Sequence, residues 1–234
     1  MTAKEIDARL RALADERFAS GQKWFFNEEF PTYGVRAPQV HALSREVYAA
    51  VKKWPKPQRD RLMEDLWKLD RLEAAGLVCY VYRRFSKECG EAEFRMFTRW
   101  IDRYAKSWAH TDGVGTWLLA ACLANEPALI ERLPPWTSDK NRWKRRASAV
   151  AMIQEAKKGR HTEEILAIAD RLLDDRDDMV EKGVGWLLKE TYPKKPRETV
   201  AFLLSRRTRA SRTTLRYAAE KMTARDRATV LARP

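Results

Sequence analysis

Three segments of the sequence combine tryptophans with charged residues in ways that a hydrophobic core does not require. In the first, residues 106–113, Trp108 precedes Asp112 by four positions, at or just before the start of a helix. Such side chains could perform catalysis through a carboxylate, aromatic rings and cations. Asp112 could instead be the N-cap of the helix, with Trp108 as a hydrophobic contact beside that cap.

The second segment, residues 177–190, reads as an amphipathic helix with a tryptophan away from its core face. At 100° per residue an apolar stripe forms, and Trp186 falls about 130° from its centre, on the side of Lys182 and Lys189. The stripe consists of Val180, Val184, Leu187 and Thr191. A tryptophan beside lysines is typical of a nucleic-acid surface, although Trp186 could also pack against a neighbouring repeat.

The third segment, residues 138–147, places cations at the start of a helix. Its predicted buried stripe consists of Trp143, Ala147, Val150 and Ala151. Lys140, Arg145 and Arg146 are cations near the positive end of the helix dipole, where a positive charge is unfavourable, so helix stability alone does not explain them. Phosphate binding at the helix start would explain them. A solvated run of charge is the alternative for each residue.

Together the three segments resemble the AlkD-type DNA alkylation repair family, whose members are HEAT-like-repeat glycosylases that excise alkylated purines. The resemblance covers residues 57–205, and three blocks carry it. A Trp-x-x-x-Asp motif matches Trp108 and Asp112. A W-x-x-R-A helix start matches Trp143, Arg146 and Ala147, and a G-W-[VL]-L-[RK]-E helix matches residues 185–190. The stretch from Trp24 to Arg36 matches only loosely.

The resemblance implies a role for each site residue. Trp108 and Trp186 would pack against the deoxyribose of the damaged nucleotide, and Asp112 would stabilise the cationic sugar and position water. Arg146 and Lys189 would hold backbone phosphates. The remaining predicted DNA-binding residues are Lys182, Arg145, Lys106 and Lys140. The resemblance implies duplex DNA with alkylated bases as the partner, and no cofactor.

Other kinds of catalytic or binding site lack their sequence signatures. His41, His110 and His161 are far apart, so a zinc site is not expected. The chain has no Gly-x-Ser-x-Gly nucleophile elbow, and its single G-x-G, residues 113–115, follows no predicted strand. The three cysteines have no metal-ligand spacing, and their odd number is typical of a reducing compartment.

Charge and composition indicate a protein that binds a polyanion. Of the net charge of +13, residues 135–234 contribute most, with 24 Lys and Arg against 14 Asp and Glu. A solubility surface is the alternative reading, and an anionic membrane is the second candidate partner. The N-terminus has no signal peptide, and the longest uncharged run is too short to span a bilayer, so a cytoplasmic protein is predicted.

Helical periodicity extends over nearly the whole chain. Ile6, Leu10 and Leu13, with Phe18, predict a first helix; a second carries Val40, Leu43, Val47, Ala50 and Val51; a third includes residues 57–69. Further helices are predicted near 72–85, 91–104, 113–124, 126–133, 140–157, 162–173, 176–191, 196–206 and 210–220. Ser138 or Asp139, and Thr162, are the predicted N-caps of two of them.

These helices predict an all-α superhelical stack of antiparallel pairs, a HEAT-like or ARM-type α-solenoid with a concave basic face. The pairs near 140–173 and 176–206 have a HEAT-like length. Short connections predict a single domain over residues 1–234. A plain helical bundle is the alternative.

Three functions are compatible with these features. The first is a monofunctional, monomeric alkylpurine DNA glycosylase. The second is a non-catalytic binder of branched or distorted DNA on the same scaffold. The third is a solenoid that binds proteins, whose binding would lack the steep salt dependence of phosphate contacts.

Overall fold

The computed structural model describes residues 1–25 and 31–232, and the regular elements within them are helical. The α-helices are, in chain order, α1 (Ala3–Ala12), α2 (Glu16–Phe25), α3 (Ala37–Val51), α4 (Lys56–Trp67), α5 (Leu72–Tyr82), α6 (Glu91–Tyr104), α7 (Trp108–Gly113), α8 (Ala120–Asn125), α9 (Arg142–Val150), α10 (Ile153–Lys158), α11 (Thr162–Leu172), α12 (Asp178–Thr191), α13 (Pro196–Ser205), α14 (Arg212–Ala218) and α15 (Ala224–Leu231). Shorter 3₁₀ turns span Arg83–Glu88, Pro127–Arg132, Pro134–Ser138 and Ala219–Lys221, and Val114–Leu119 is a π-helical segment.

Alternate helices pack side by side along the chain and form one row. α3 contacts α5, α5 contacts α7, α7 contacts α9, α9 contacts α12, and α12 contacts α14. Other helices pack against this row: α4 lies on α5, α6 on α9, and α13 on α12. The predicted all-α, solenoid-like class is therefore confirmed. Because successive layers repeat along the chain, residues distant in sequence line the same surface.

The hydrophobic core runs from Ile6 to Val230. The predicted buried positions of the first two helices are largely confirmed, since Ile6, Leu10, Val40, Leu43, Val47 and Val51 are all buried. Leu13 is 37% exposed because α1 ends before it, and Ala50 is exposed on the outer face of α3. The helical period therefore located the core-facing stripes, with errors at their ends.

Two boundaries differ from prediction near the chain ends. Phe18 does not extend the first helix. Its N–H donates to the Asp15 carboxylate at 3.0 Å, and it belongs to α2. The helix α15 was not predicted. Val230 is its one buried residue, so the sequence shows almost no apolar stripe there.

Two predicted N-caps are wrong. The cap of α9 is Asn141, whose side chain accepts from the Trp143 N–H at 3.0 Å, while Asp139 accepts from the Asn141 N–H. The helix α11 begins at Thr162 itself, since His161 precedes it with a left-handed φ of 53°. The residue at the cap position is therefore not in the extended conformation typical of an N-cap, and its side chain makes no cap hydrogen bond.

The helix predicted over 140–157 is divided into two. At its break the Met152 N–H donates to the Ala149 carbonyl three residues back, which tightens the last turn of α9. The chain then continues as α10, whose Gln154 and Lys157 lie on the wall of a cleft in the helical row.

Candidate active site

A cleft of about 500 Å³ opens on the row of packed helices. Residues of α3, α5, α7, α10 and α12 contribute to its walls, together with the π-helical segment. Trp108, Asp112 and Trp186, which the sequence analysis selected, all line it. Residues 78 positions apart in the chain thus share one small volume, and both indoles are half-buried there.

Asp112 forms a buried, two-point ion pair at this cleft. Arg146 Nε donates to Asp112 Oδ1 and Arg146 Nη2 donates to Oδ2, each at 2.8 Å. The Arg146 side chain is 6% exposed and the Asp112 side chain is 15% exposed. The guanidinium also donates through Nη1 to the Met179 carbonyl. Arg146 therefore fixes the Asp112 carboxylate from a buried position, and its predicted contact with a DNA phosphate stays a prediction.

Burial and the arginine act in opposite directions on the pKa of Asp112. Burial raises this pKa because the charged form loses hydration, while Arg146 lowers it through charge and hydrogen bonds. The net pKa is above the ordinary value of an aspartate. The site thus holds a carboxylate in a fixed orientation, poorly solvated, on the wall of an aromatic cleft.

Two glycines allow α9 to approach the elements on either side of it. A Cβ on Gly183 of α12 would lie 3.2 Å from Arg146 Cγ and 3.5 Å from its Nη1. A Cβ on Gly115 would lie 2.5 Å from Val150 Cγ2. Without side chains at these positions, α9 packs closely enough for Arg146 to reach Asp112.

Asp112 is not an N-cap. The helix α7 begins at Trp108, and its cap is Ser107, whose hydroxyl accepts from the His110 N–H at 3.4 Å. The alternative interpretation of Asp112 as a cap is therefore wrong, because Asp112 lies inside the helix. Its carboxylate is bound by a residue 34 positions away instead of by its own backbone.

The residues between Trp108 and Asp112 hold this segment in place. His110 is buried, packs edge-on against Trp67 with ring centroids 5.7 Å apart, and accepts through Nδ1 from the Lys106 N–H. Burial lowers the pKa of His110 to about 4, so this ring is neutral at physiological pH. Thr111 is fully buried and donates to the Ser107 carbonyl.

Trp186 is oriented by a hydrogen bond along its own helix. Its Nε1 donates to Glu190 Oε1 at 3.3 Å, and Lys221 binds the other oxygen of Glu190 at 2.6 Å. Burial raises the pKa of Glu190, but the lysine and the indole outweigh it and the pKa is lowered. Glu190 therefore stays ionised and keeps the indole at the cleft.

Sequence reasoning missed two aromatic residues of the cleft, Trp117 and Tyr80. In an α-helix Trp117 would point about 140° away from Asp112, five positions earlier. The segment Val114–Leu119 is instead π-helical, with the Ala120 N–H bonded to the Gly115 carbonyl five residues back. Residues five apart come nearly into line in such a turn, which brings Trp117 to the cleft. An α-helical periodicity cannot reveal this placement.

Most of the predicted DNA-binding cations already have carboxylate partners. Lys106 bonds Asp70 at 2.6 Å, Lys182 bonds Asp178 at 2.6 Å, Lys189 bonds Glu220 at 2.8 Å and Arg145 bonds Asp175 at 2.5 Å. Lys140 is exposed. At the start of α9, Arg142 and Lys144 also form ion pairs. Ion pairs within the protein therefore account for Arg142, Lys144 and Arg145, while phosphate binding by Lys140 stays a prediction.

Of the loosely matching stretch from Trp24 to Arg36, residues 26–30 lie outside the described part of the chain. Buried Glu73 of α5 accepts from the Thr32 hydroxyl at 2.7 Å, the Tyr33 N–H at 3.0 Å and the Val35 N–H at 2.9 Å. Val35 and Glu73 both line the cleft. These bonds attach the segment to the helical row at the cleft edge.

Residues 1–25 and 31–232 contain neither a cluster of metal ligands nor a helix that could cross a membrane. No group of three or more His, Cys, Asp or Glu side chains there is arranged to hold a metal ion. No helix in the same residues combines the length and the apolar character needed to cross a membrane.

Comparisons with known proteins found one family and one solved structure that match most of the chain. A sequence model of the family described as DNA alkylation repair enzyme matches residues 6–222. A solved structure of a predicted DNA alkylation repair enzyme from Enterococcus faecalis is similar with a TM-score of 0.81 and 15% identity, and the match covers 90% of this chain and 97% of that one. At this identity the likeness concerns the fold. A comparison with curated proteins gave no significant match.

Proposed function

The chain belongs to the DNA alkylation repair enzyme family, and we propose that it is a monofunctional DNA glycosylase for positively charged alkylated purines in duplex DNA. Membership implies a DNA substrate. The observation that carries the proposal is Asp112, a buried carboxylate held by Arg146 on the wall of a cleft that also contains Trp108 and Trp186. The substrates are 3-methyladenine, 7-methylguanine or bulkier N3 and N7 adducts.

The reaction needs few protein groups because the damaged base is already a cation. The bond between C1′ and the base nitrogen breaks, and its electron pair neutralises the base, which leaves without being protonated. Positive charge develops on the sugar, where the fixed carboxylate of Asp112 stabilises it. Water then attacks C1′ and loses a proton, which yields a free base and an abasic site.

The two indoles suit the same transition state. Trp108 and Trp186 are half-buried at the cleft, so each keeps part of its ring accessible. An aromatic face packed on a cationic sugar adds a cation–π attraction of about 1–2 kcal/mol where water is excluded. Glu190 contributes indirectly because it fixes the position of the Trp186 ring.

No general acid is required, and the histidine at the cleft is a poor one. With a pKa of about 4, His110 is a neutral imidazole near neutral pH, and a neutral imidazole is too weak an acid to protonate a leaving group. A neutral histidine is consistent with a substrate that leaves without protonation. Unmodified purines, which need protonation to leave, are therefore not expected to be released.

The proposal is tested by incubating the protein with methylated duplex DNA and identifying released bases by chromatography. We expect free 3-methyladenine and 7-methylguanine, and an abasic strand that breaks only after heat or alkali. Lys157, which lines the cleft, is exposed rather than desolvated, so a Schiff base is not expected. Trapping of a covalent complex with borohydride would contradict the hydrolytic mechanism. A folded protein that binds DNA and releases no base would instead be the structure-specific binder.

The pH dependence of base release should follow the ionisation of Asp112. The carboxylate must be charged to stabilise the sugar cation, so the rate falls as pH decreases through its raised pKa. With 3-methyladenine as the damaged base, whose cationic ring has no N1–H proton to lose, no loss of rate is expected at the alkaline side between pH 7 and 9. The check is the single-turnover rate from pH 4 to pH 9. A bell-shaped curve would show that a general acid also takes part.

A further inference from the structure

Two exposed arginines follow α5 and lie over aromatic rings beside the cleft. The guanidinium carbon of Arg83 is 5.0 Å from the centroid of the Trp117 ring, and that of Arg84 is 5.2 Å from the Tyr48 ring. Trp117 is itself a wall of the cleft. The two cations are therefore held close to the candidate active site, although neither belongs to a motif that the sequence analysis used.

An aromatic chain joins these arginines to the cleft. The rings of Trp117 and Tyr80 have centroids 5.2 Å apart, and those of Tyr80 and His41 are 3.7 Å apart. Tyr80 also lines the cleft. Because the rings pack on one another, they hold the Trp117 ring in place at the cleft. The Arg83 guanidinium lies over that ring, and its position relative to the cleft is therefore restricted.

The surroundings of His41 show a local excess of positive charge. Burial lowers the pKa of His41, and Arg83, Arg45 and Arg84 lower it further. Arg45 is exposed on α3. Within the described part of the chain, none of these three arginines forms an ion pair with a carboxylate. They differ in this respect from the cations of α9 and α12, such as Arg145 and Lys189.

Internal stability does not account for three unneutralised arginines at one place. Like charges repel one another, and an exposed cation–π contact offsets only part of this repulsion. A guanidinium that lies over a ring still has N–H groups free at its edge, in the geometry that matches a phosphate. The arrangement is suited to a polyanion that approaches the cleft from this side.

We propose that Arg83, Arg84 and Arg45 form a binding site for the phosphodiester backbone of DNA next to the damaged nucleotide. The proposal rests on the proposed function for the identity of the ligand. The site would hold the duplex at the α3–α5 side of the cleft, while Asp112 and the two indoles act on the sugar. Four of the predicted DNA-binding residues, Arg145, Arg146, Lys182 and Lys189, lie on α9 and α12, so this site adds contacts at the other side.

The experiment compares Arg83→Gln/Arg84→Gln with a matched control, Arg206→Gln/Arg209→Gln, which removes the same charge from two arginines that both bind Asp170. Fluorescence anisotropy gives the Kd for an undamaged duplex between 50 and 200 mM KCl. Each lost phosphate contact should reduce the slope of log Kd against log salt by about 0.9. We expect the first variant to lose about 2 from this slope and at least tenfold in affinity at low salt. The control should keep the wild-type slope.

A wild-type slope and affinity in Arg83→Gln/Arg84→Gln would overturn this inference, and so would equal losses in the control. Thermal unfolding establishes that both variants are folded. Base release is measured separately, with enzyme in saturating excess over methylated DNA. Failure of wild type to release bases would refute the glycosylase and leave the salt-slope test intact.

Discussion

Replacement of Asp112 by asparagine is expected to slow base release by a factor of about 10² to 10³ while DNA affinity stays within a few-fold of wild type. Asparagine keeps the shape of the side chain and one acceptor for Arg146, but it removes the negative charge from the cleft wall. The sugar cation then forms without its main electrostatic partner. The checks are the single-turnover rate of release and the Kd for the same duplex.

A control for this variant is Asp178→Asn on α12, whose carboxylate pairs with Lys182 at the exposed surface. This change removes an equal charge away from the cleft and should leave base release near wild type. Asp112→Asn leaves the buried Arg146 without its counter-charge, so a lower melting temperature is itself expected. Joint loss of DNA binding and base release in variant protein that is still folded would contradict a catalytic role. Asp112 would then serve only as the partner of Arg146.

Replacement of Arg146 by methionine is expected to have two large effects. Removing one partner of a buried ion pair leaves the other uncompensated, so the free energy of unfolding should fall by about 3–5 kcal/mol. The Met179 carbonyl also loses a donor. In the remaining folded protein the pKa of Asp112 rises further, since burial is no longer opposed by the arginine. The acid side of the pH–rate curve should therefore move to higher pH. Urea unfolding and the pH–rate curve measure the two effects.

The double variant Asp112→Asn/Arg146→Met separates the structural from the chemical contribution. With neither charge present, no uncompensated ion remains buried, so much of the stability lost in Arg146→Met should return. Base release should stay as low as in Asp112→Asn. A single variant Arg146→Met with wild-type stability and an unshifted pH–rate curve would show that the pair does not control the carboxylate.

Local sequence predicted much of the helical architecture. The apolar stripe of α12 was correct, and so was that of α3 apart from Ala50, because their spacing follows the helical period and each stripe is several residues long. Pro55 and Pro193 each follow the end of a helix, α3 and α12, as expected of a residue that lacks the N–H needed to continue a helix. The helix α15 was missed because it buries a single hydrophobic residue.

The candidate site was only partly readable. Trp108, Asp112 and Trp186 could be selected from their motifs, and the structure brings them to one cleft. Trp117 could not, because its place depends on a π-helical segment that α-helical periodicity does not reveal. The pairing of Arg146 with Asp112 could not be predicted from the sequence either. Nothing local in its segment distinguishes a phosphate-binding arginine from one that is paired inside the protein.

The sequence by itself determined the helical class, the core-facing residues and the residue types available for chemistry, because these follow from composition and short-range spacing. Only the tertiary structure decided which charges are neutralised and which remain free. An ion pair such as Asp112–Arg146 joins positions 34 residues apart, and its strength depends on burial created by the packing of several helices. Net charge along the sequence did not locate the unneutralised arginines beside the cleft either. Arg83 and Arg84 lie within residues 1–134, the part of the chain with the smaller net charge.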